Sequence, residues 1–204
     1  MKIGIFGGAF NPVHIGHIQL ADAFSKSIPL DRLFLVPSKK SPHKSSAALI
    51  AAKYRLEMCR LAARYIRNCA VSDIEIRRDA VSYTCDTLLQ FKDLYPNAQL
   101  YLLCGSDMFL TLQEWRRPDI LFENAVICGA KRADEPDSRM EKQKKTLEEA
   151  GATVILTDIS IPPVSSTMIR EAALHQTNFE KMVTPEVYRY IKQHKLYESG
   201  IENV

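Results

Sequence analysis

The sequence predicts an α/β fold in which a doubly wound parallel sheet carries helices on both faces. Short apolar runs of strand length alternate along the chain with segments of helical periodicity. Glycine follows three of these runs directly, after Phe6, Cys104 and Cys128. Short connections between alternating strands and helices favour parallel pairing, with the helices as crossovers. The length of 204 residues, with 46% apolar and 25% charged residues, is typical of one globular domain.

The strands are predicted where apolar runs are bounded by turn residues, at 2–6, 32–37, 69–74, 100–104, 125–128 and 153–156. Helices are predicted from about residue 14, over 47–67, 83–95, 142–150 and 166–174, and from Thr184-Pro185 onwards. The polar stretch 131–140 predicts a surface loop. We expect one domain over 1–204, with a C-terminal helical part over about 165–204.

Charge and cysteine content narrow the class of protein. The chain has 27 basic and 24 acidic residues, a formal charge of +3, which is too small to predict nucleic-acid or membrane binding but leaves room for small anionic substrates. No apolar run approaches the roughly 18 residues that cross a bilayer, and the apolar N-terminal run is too short for a signal peptide, so we expect a cytoplasmic protein. The five cysteines form no CxxC pair, and Cys104 and Cys128 are expected to be buried thiols. The sequence leaves the oligomeric state open, a homo-oligomer included.

The segment GGAFNPVHIGH at 7–17 carries the strongest indication of chemistry. Ligands of doubly wound sheets bind beyond the carboxyl ends of the strands, here in the loops after Phe6, Val36, Cys104 and Leu156. Paired glycines after a strand let a phosphate approach bare backbone N–H groups. His14 and His17 are three residues apart at a helix start, so both imidazoles share one face near the positive end of the helix dipole.

Other interpretations of this segment remain open. The sequence contains neither G-x-G-x-x-G nor G-x-x-x-x-G-K-[ST], which argues against a Rossmann dehydrogenase and a P-loop NTPase. A zinc site at His14 and His17 lacks an evident third ligand, and no HExxH motif is present. The structural alternative is a tight turn followed by histidines that face the core.

As a unit, this segment resembles the HxGH nucleotidyltransferase superfamily, and four further segments narrow the resemblance. They are VP…SPHK at 36–44, SD-E-R-SYT-TL at 72–88, GSD…L-x-x-W at 105–115 and SSTMIR at 165–170. Together they resemble the bacterial nicotinate-mononucleotide adenylyltransferases, in the expected order over nearly the whole chain. The chain departs from that pattern at Ala9, where a hydroxyl is common, and at Asn11, Ser41 and Val164.

The resemblance implies transfer of AMP from ATP to nicotinate mononucleotide, giving nicotinate adenine dinucleotide and pyrophosphate, with Mg²⁺ brought by ATP and no metal site of the protein's own. His14, His17 and Arg170 would be catalytic. The ATP-binding residues implied are Gly7, Gly8, Ala9, Phe10, His14, His17, Gly105, Asp107, Ser165, Ser166, Thr167 and Arg170. Ser165–Thr167 are also a natural helix cap and Asp107 could equally cap a helix, so both interpretations stand.

For the acceptor, the resemblance implies contacts from Lys44, Tyr83, Thr84, Asp107, Trp115 and Arg132. The structural alternative is core packing for Trp115 and a solvated surface position for Lys44. Selection of nicotinate over nicotinamide needs donors that face the ring substituent, yet neither 83–84 nor 111–115 contains Lys or Arg. Arg116 and Arg117 follow, but the sequence does not show whether either turns toward the ring. Backbone N–H groups at helix starts are therefore the expected donors.

Two other functions are compatible with the same fold. One keeps adenylyl transfer and changes the acceptor, to phosphopantetheine or to the amidated mononucleotide. The other is a nucleotide sensor without catalysis, against which the pair His14 and His17 together with Arg170 argues, because sensing does not need groups around the α-phosphate.

Overall fold

The computed structural model describes residues 1–39, 49–79, 81–131, 137–159 and 163–198. Its core is one six-stranded parallel sheet in the order β3-β2-β1-β4-β5-β6. The strands are β1 (Lys2–Gly8), β2 (Arg32–Pro37), β3 (Cys69–Val71), β4 (Gln99–Cys104), β5 (Ala125–Lys131) and β6 (Val154–Asp158). The predicted doubly wound parallel sheet is confirmed.

Eight α-helices are found in the described ranges. They are α1 (Ile15–Ser27), α2 (Ala52–Ala63), α3 (Thr84–Leu94), α4 (Ser106–Phe109), α5 (Pro118–Asn124), α6 (Asp137–Glu149), α7 (Ser166–Leu174) and α8 (Pro185–Gln193). Short 3₁₀ turns occupy Leu112–Glu114 and Glu180–Met182. None of these helices is long and apolar enough to cross a membrane.

Alternation of side chains along the strands divides the apolar residues into two cores. Leu33 and Leu35 of β2 face the core that α1, α2, α7 and α8 cover, while Phe34 and Val36 face the core that α3 to α6 cover. Both cores are lined by fully buried aliphatic and aromatic side chains. The central strands are therefore buried on both faces, which explains why their interior positions are apolar and do not alternate with polar residues.

Several predicted boundaries were wrong. Of the helix predicted over 47–67, the described residues from 49 onward are helical at Ala52–Ala63, and β3 ends at Val71. The loop predicted at 131–140 is wrong at both ends, because β5 includes Lys131 and α6 begins at Asp137. Helix α6 is mostly polar, but Met140 and Leu147 are fully buried against the sheet, and this packing stabilises the helix where composition alone predicts a loop.

The strand order places the predicted ligand site. β1 pairs with β2 on one side and with β4 on the other, so the order reverses between β1 and β4. The loops that follow these two strands lie at the carboxyl end of the sheet, where open α/β sheets bind ligands. The loop from Ala9 to His14 follows β1, and Gly105 follows β4.

The described cysteines are all free. Cys104 and Cys128 are buried in the sheet, as predicted, with 3% and 0% of their surface exposed. Burial raises the pKa of the Cys104 thiol to about 12. These side chains therefore pack as small apolar groups and hold no thiolate near neutral pH.

Candidate active site

The two glycines at the end of β1, Gly7 and Gly8, differ in how much space they leave for a side chain. A Cβ at Gly7 would meet no atom within 4 Å, and this residue is exposed. A Cβ at Gly8 would lie 3.0 Å from the ring of Phe10, which is itself buried and has a left-handed φ of 44°. Gly7 therefore has bare, accessible backbone, while Gly8 is needed mainly for the close packing of Phe10.

The two histidines form a close pair of rings, with their planes tilted by 35°, at the start of α1. His14 is the N-cap residue, and its backbone N–H donates to Nδ1 of His17 at 3.2 Å. The two ring centroids are 3.7 Å apart, and the edge of Phe10 packs on His17 with centroids 5.0 Å apart. Because Nδ1 of His17 accepts a hydrogen bond, the proton of the neutral ring lies on Nε2, which can donate to an anion.

Burial distinguishes the roles of the two imidazoles. His14 is 8% exposed, as the core-facing alternative expects, whereas His17 is only half-buried. The helix start beside them adds positive potential. The pair can therefore serve as a phosphate-binding surface, with His17 as the more accessible donor.

The N-terminal end of helix α7 is hydrogen-bonded to the loop that follows β1. Ser165 caps the helix by accepting from the backbone N–H of Met168 at 3.2 Å, so the predicted capping role is confirmed. The hydroxyl of Ser166 donates to the carbonyl oxygen of Pro12 at 2.9 Å. These contacts bring the N-terminal end of α7 beside the histidine loop, although the two segments are about 150 residues apart in sequence.

Arg170 lies at the junction of α7 and the first loop. Its guanidinium donates to the carbonyl oxygen of Asn11 at 3.0 Å and to the hydroxyl of Thr167 at 3.1 Å. The side chain is half-buried. Since a guanidinium carries five N–H donors, these two bonds orient Arg170 and leave it able to contact an anion as well. Arg170 is thus both a structural residue and a candidate for phosphate binding.

Arg55 is a structural residue of the site that the sequence analysis missed. It is 1% exposed and donates to four backbone carbonyl oxygens. These belong to Ala9 at 2.8 Å, Ser38 at 2.6 Å, Lys39 at 3.3 Å and Ile50 at 3.1 Å. Burial lowers the pKa of the guanidinium. A single buried cation therefore joins the loops that follow β1 and β2.

The C-terminal segment contributes a second unpredicted contact. The hydroxyl of Tyr197 donates to the side-chain oxygen of Asn11 at 3.0 Å, and the same oxygen accepts from the backbone N–H of Ile50 at 3.4 Å. Burial raises the pKa of the Tyr197 phenol, so its proton is retained for this bond. A contact between Tyr197 and Asn11 cannot be inferred from local sequence pattern, because the two residues are 186 positions apart.

On the β4 side, Gly105 precedes the short helix α4 and Asp107 lies in its first turn. The N-cap position belongs to Gly105, so the alternative that Asp107 caps the helix is wrong. Asp107 is exposed at the carboxyl end of the sheet. Phe109 of α4 packs so closely on Gly129 that a Cβ there would lie 2.7 Å from its ring. This contact fixes α4, and with it Asp107, against β5.

The predicted acceptor residues lie around the second apolar core. Tyr83 is the N-cap residue of α3, which begins at Thr84 without a side-chain cap. Trp115 is half-buried, and its indole N–H donates to the hydroxyl of Thr111 at 3.4 Å. Tyr83 and Trp115 both pack against the core that α3 to α6 cover, so core packing accounts for part of each ring. The predicted contacts of Lys44 and Arg132 lie outside the described residues.

The structure also shows where the two arginines after Trp115 turn. Arg117 forms a bidentate ion pair with Asp119, with N···O distances of 3.1 and 2.8 Å. Arg116 turns instead toward α3, and its guanidinium carbon lies 4.5 Å from the centroid of the Tyr83 ring. Local sequence pattern does not distinguish the directions of these two neighbouring side chains.

A buried carboxyl group supports the start of α3. Glu75 is 6% exposed and accepts from the hydroxyl of Thr87 at 2.7 Å. Burial raises the pKa of Glu75, and hydrogen bonds from Thr87 and Ser82 oppose the shift. Since Thr87 belongs to the second turn of α3, this carboxyl group holds the helix that carries Tyr83 and Thr84.

Glu75→Gln is expected to make stability less dependent on pH. The native carboxyl keeps its proton above the ordinary pKa of 4.5, so the native state binds more protons than the unfolded state as pH rises through that window. The free energy of unfolding of the wild type therefore falls there, at up to about 1.4 kcal/mol per pH unit, and the variant lacks this loss. Urea denaturation should show that the free energy of unfolding of the variant rises relative to that of wild type as the pH is raised from 4 to 7. The control variant Glu114→Gln, at an exposed position, should show the same pH dependence of the free energy of unfolding as wild type. If the stability of Glu75→Gln differed from that of wild type by the same amount at every pH, the expectation would be contradicted.

Comparisons with known proteins agree with this arrangement. The model of the cytidylyltransferase-like family matches residues 5–172. A protein of Lachnoclostridium phytofermentans named "probable nicotinate-nucleotide adenylyltransferase" is 34% identical over 197 residues, covering 96% of this chain and 98% of that protein. One of the same name from Neisseria meningitidis serogroup A is 35% identical, with 97% and 98% covered. The fold is similar to that of Plasmodium falciparum nicotinic acid mononucleotide adenylyltransferase complexed with NaAD, with a TM-score of 0.80, 21% identity and 97% of each chain covered. The chain therefore belongs to the nicotinate-nucleotide adenylyltransferases of the cytidylyltransferase-like family.

Proposed function

We propose that this chain transfers the adenylyl group of ATP to nicotinate mononucleotide, a late step of NAD synthesis. The observation that carries the proposal is the close pair of His14 and His17 at the switch point of the sheet, with Arg170 hydrogen-bonded to the same loop. The family of the chain supports the choice of reaction. A cytoplasmic location is part of the proposal, since both substrates are charged metabolites.

The reaction needs no general base from the protein. An oxygen of the mononucleotide 5′-phosphate attacks the α-phosphorus of ATP and forms the new P–O bond. The bond from the α-phosphorus to the bridging oxygen breaks, and pyrophosphate leaves with the electron pair. Because the attacking oxygen is already ionised near neutral pH, catalysis rests on in-line positioning and on stabilisation of charge at the α-phosphate and the leaving group.

The described residues suit these tasks. His17 would donate from Nε2 to an oxygen of the α-phosphate, with His14 beside it and the bare backbone of Gly7 in the same turn. The start of α7 and Arg170 would bind the β- and γ-phosphates. Asp107 would accept hydrogen bonds from ribose hydroxyls at the end of β4. Tyr83, Thr84 and Trp115 would line the acceptor pocket.

We propose that Mg²⁺ arrives as part of the ATP substrate. In the described ranges, no group of three or more His, Cys, Asp or Glu side chains is arranged to hold a metal. Mg²⁺ prefers oxygen ligands and commonly binds substrate phosphates with few protein carboxylates. The triphosphate would therefore supply most of its ligands, and the residues of this chain would act on the complex.

A coupled pyrophosphate assay tests the proposal. Purified protein with ATP and Mg²⁺ is given nicotinate mononucleotide, nicotinamide mononucleotide or phosphopantetheine in separate reactions. We expect pyrophosphate release that depends on a pyridine mononucleotide, with the acid preferred. Pyrophosphate release with phosphopantetheine alone would show that phosphopantetheine is the acceptor. Nucleotide binding without pyrophosphate release would favour a sensor.

Substitution of Arg170 should lower kcat/KM for ATP more than kcat/KM for the acceptor. Arg170→Ala should lower kcat/KM for ATP by about 10²-fold, and Arg170→Lys by about tenfold, because lysine keeps the charge and loses the planar fork. Since Arg170 also donates to Asn11, thermal denaturation must show that each variant is folded at the assay temperature. The exposed Arg189→Ala on α8 is the matched control. Unchanged kinetics in both Arg170 variants would leave Arg170 with only its structural role.

A further inference from the structure

One guanidinium bridges the two segments assigned to the acceptor ring. Arg116 directly follows Trp115, and it lies over the ring of Tyr83, the residue that precedes α3, at 4.5 Å. A cation over an aromatic face is attracted by the ring quadrupole, which gives this exposed side chain a preferred position. The contact therefore holds a positive charge at the start of α3.

Arg116 and its neighbour Arg117 differ in whether a carboxylate compensates their charge. Arg117 is paired with the carboxylate of Asp119 at 2.8 Å, which compensates its charge locally. Within the described ranges, no carboxylate lies at ion-pair distance from Arg116. Burial raises the pKa of the Cys85 thiol in the first turn of α3, the neighbouring Asp86 carboxylate raises it further, and the Arg116 cation opposes both effects. The field of Arg116 thus reaches the helix start.

The backbone at the start of α3 favours an anion, whereas the carboxylate of Asp86 in the same first turn opposes one, so an added cation matters there. The first turn of α3 has the positive end of the helix dipole and no side-chain cap, in contrast to α7 and α8, which Ser165 and Thr184 cap. A single backbone N–H discriminates weakly between the two ring substituents, since an amide oxygen can accept from it as a carboxylate oxygen does. A net positive charge favours only the ionised substituent.

We propose that Arg116 is a specificity-determining residue that makes the acceptor pocket favour a pyridine mononucleotide with a ring carboxylate over one with a ring amide. This inference rests on the proposed function, because it assigns a role inside the acceptor pocket. Tyr83 holds the guanidinium in place, and the start of α3 supplies the hydrogen-bond donors.

The test compares kcat/KM for nicotinate and nicotinamide mononucleotide in wild type and in three variants. Arg116→Gln should lower the acid-to-amide ratio about fivefold, through a higher KM for the acid, since an exposed charge interaction is modest. Arg116→Lys should keep most of the ratio because the charge remains. Arg117→Gln, the matched control, should stay within about twofold of wild type, because its charge is already paired. Raising salt should lower the wild-type ratio and leave that of Arg116→Gln nearly unchanged.

The outcomes separate the inference from the proposed function. A wild-type protein that does not turn over nicotinate mononucleotide overturns both. A wild type that does so, with an Arg116→Gln variant whose ratio is unchanged, overturns the inference alone. An equal loss with both acceptors, insensitive to salt, would also overturn it, because it would show that Arg116 only holds Tyr83 in place.

Discussion

His17→Ala is expected to lower kcat by about 10²–10³ while the KM for ATP changes by less than about threefold. His17 accepts from the backbone N–H of His14 at Nδ1, so its remaining proton is directed from Nε2. A donor that meets charge developing in the transition state contributes to kcat more than to ground-state binding. Steady-state pyrophosphate release at saturating acceptor measures both constants.

Stability must be measured beside activity for this variant. Loss of the ring removes the acceptor for the His14 N–H, which should cost about 1 kcal/mol of unfolding free energy. That cost cannot account for a hundredfold change in kcat at a temperature where the variant is folded. The exposed His175→Ala, at the end of α7, is the matched control and should retain wild-type kinetics. A His17→Ala enzyme with wild-type kcat would rule out the phosphate contact.

The parts of the site that could be predicted from the sequence are those set by local pattern. The glycine turn, the spacing of His14 and His17 on one helix face, and the Ser165 cap each depend on residues within a few positions. The sheet could be predicted too, since alternating apolar runs and short connections favour one parallel arrangement. These features require no knowledge of distant contacts.

The parts that could not be predicted depend on side chains meeting across the fold. Helical periodicity places Arg55 on α2 but does not show that it enters the interior, since arginine is usually exposed. The bond from Tyr197 to Asn11 joins residues 186 positions apart. Arg116 turns toward Tyr83 and Arg117 toward Asp119, and the backbone at Arg117 is left-handed with φ of 52°, none of which local pattern indicates. Helices α4 and α5 were missed because four and seven residues are too few to establish a period.

Arg55→Ala is expected to lower the free energy of unfolding by about 3–5 kcal/mol, or about 10 °C in the midpoint of thermal denaturation. The buried guanidinium is the donor for the carbonyl oxygens of Ala9, Ser38, Lys39 and Ile50. Alanine would leave these acceptors without their donor and open a cavity where the side chain was. Urea denaturation measures the loss directly.

The matched control is Arg60→Ala, since Arg60 lies on the same helix with 56% of its side chain exposed and, within the described part of the chain, forms an ion pair with Glu57 alone. It should change stability by less than about 0.5 kcal/mol, because an exposed pair contributes little. The stability of Arg55→Lys should lie between those of Arg55→Ala and Arg60→Ala. The lysine ammonium keeps the charge but lacks the planar, five-donor geometry with which the guanidinium binds four carbonyl oxygens. Because Arg55 also holds Ala9, the Arg55→Lys variant should lose activity beyond what its folded fraction explains. If Arg55→Ala were no less stable than Arg60→Ala, the four hydrogen bonds would not hold the loops after β1 and β2 together, and the placement of the histidine loop would have to rest on α7 and Tyr197 alone.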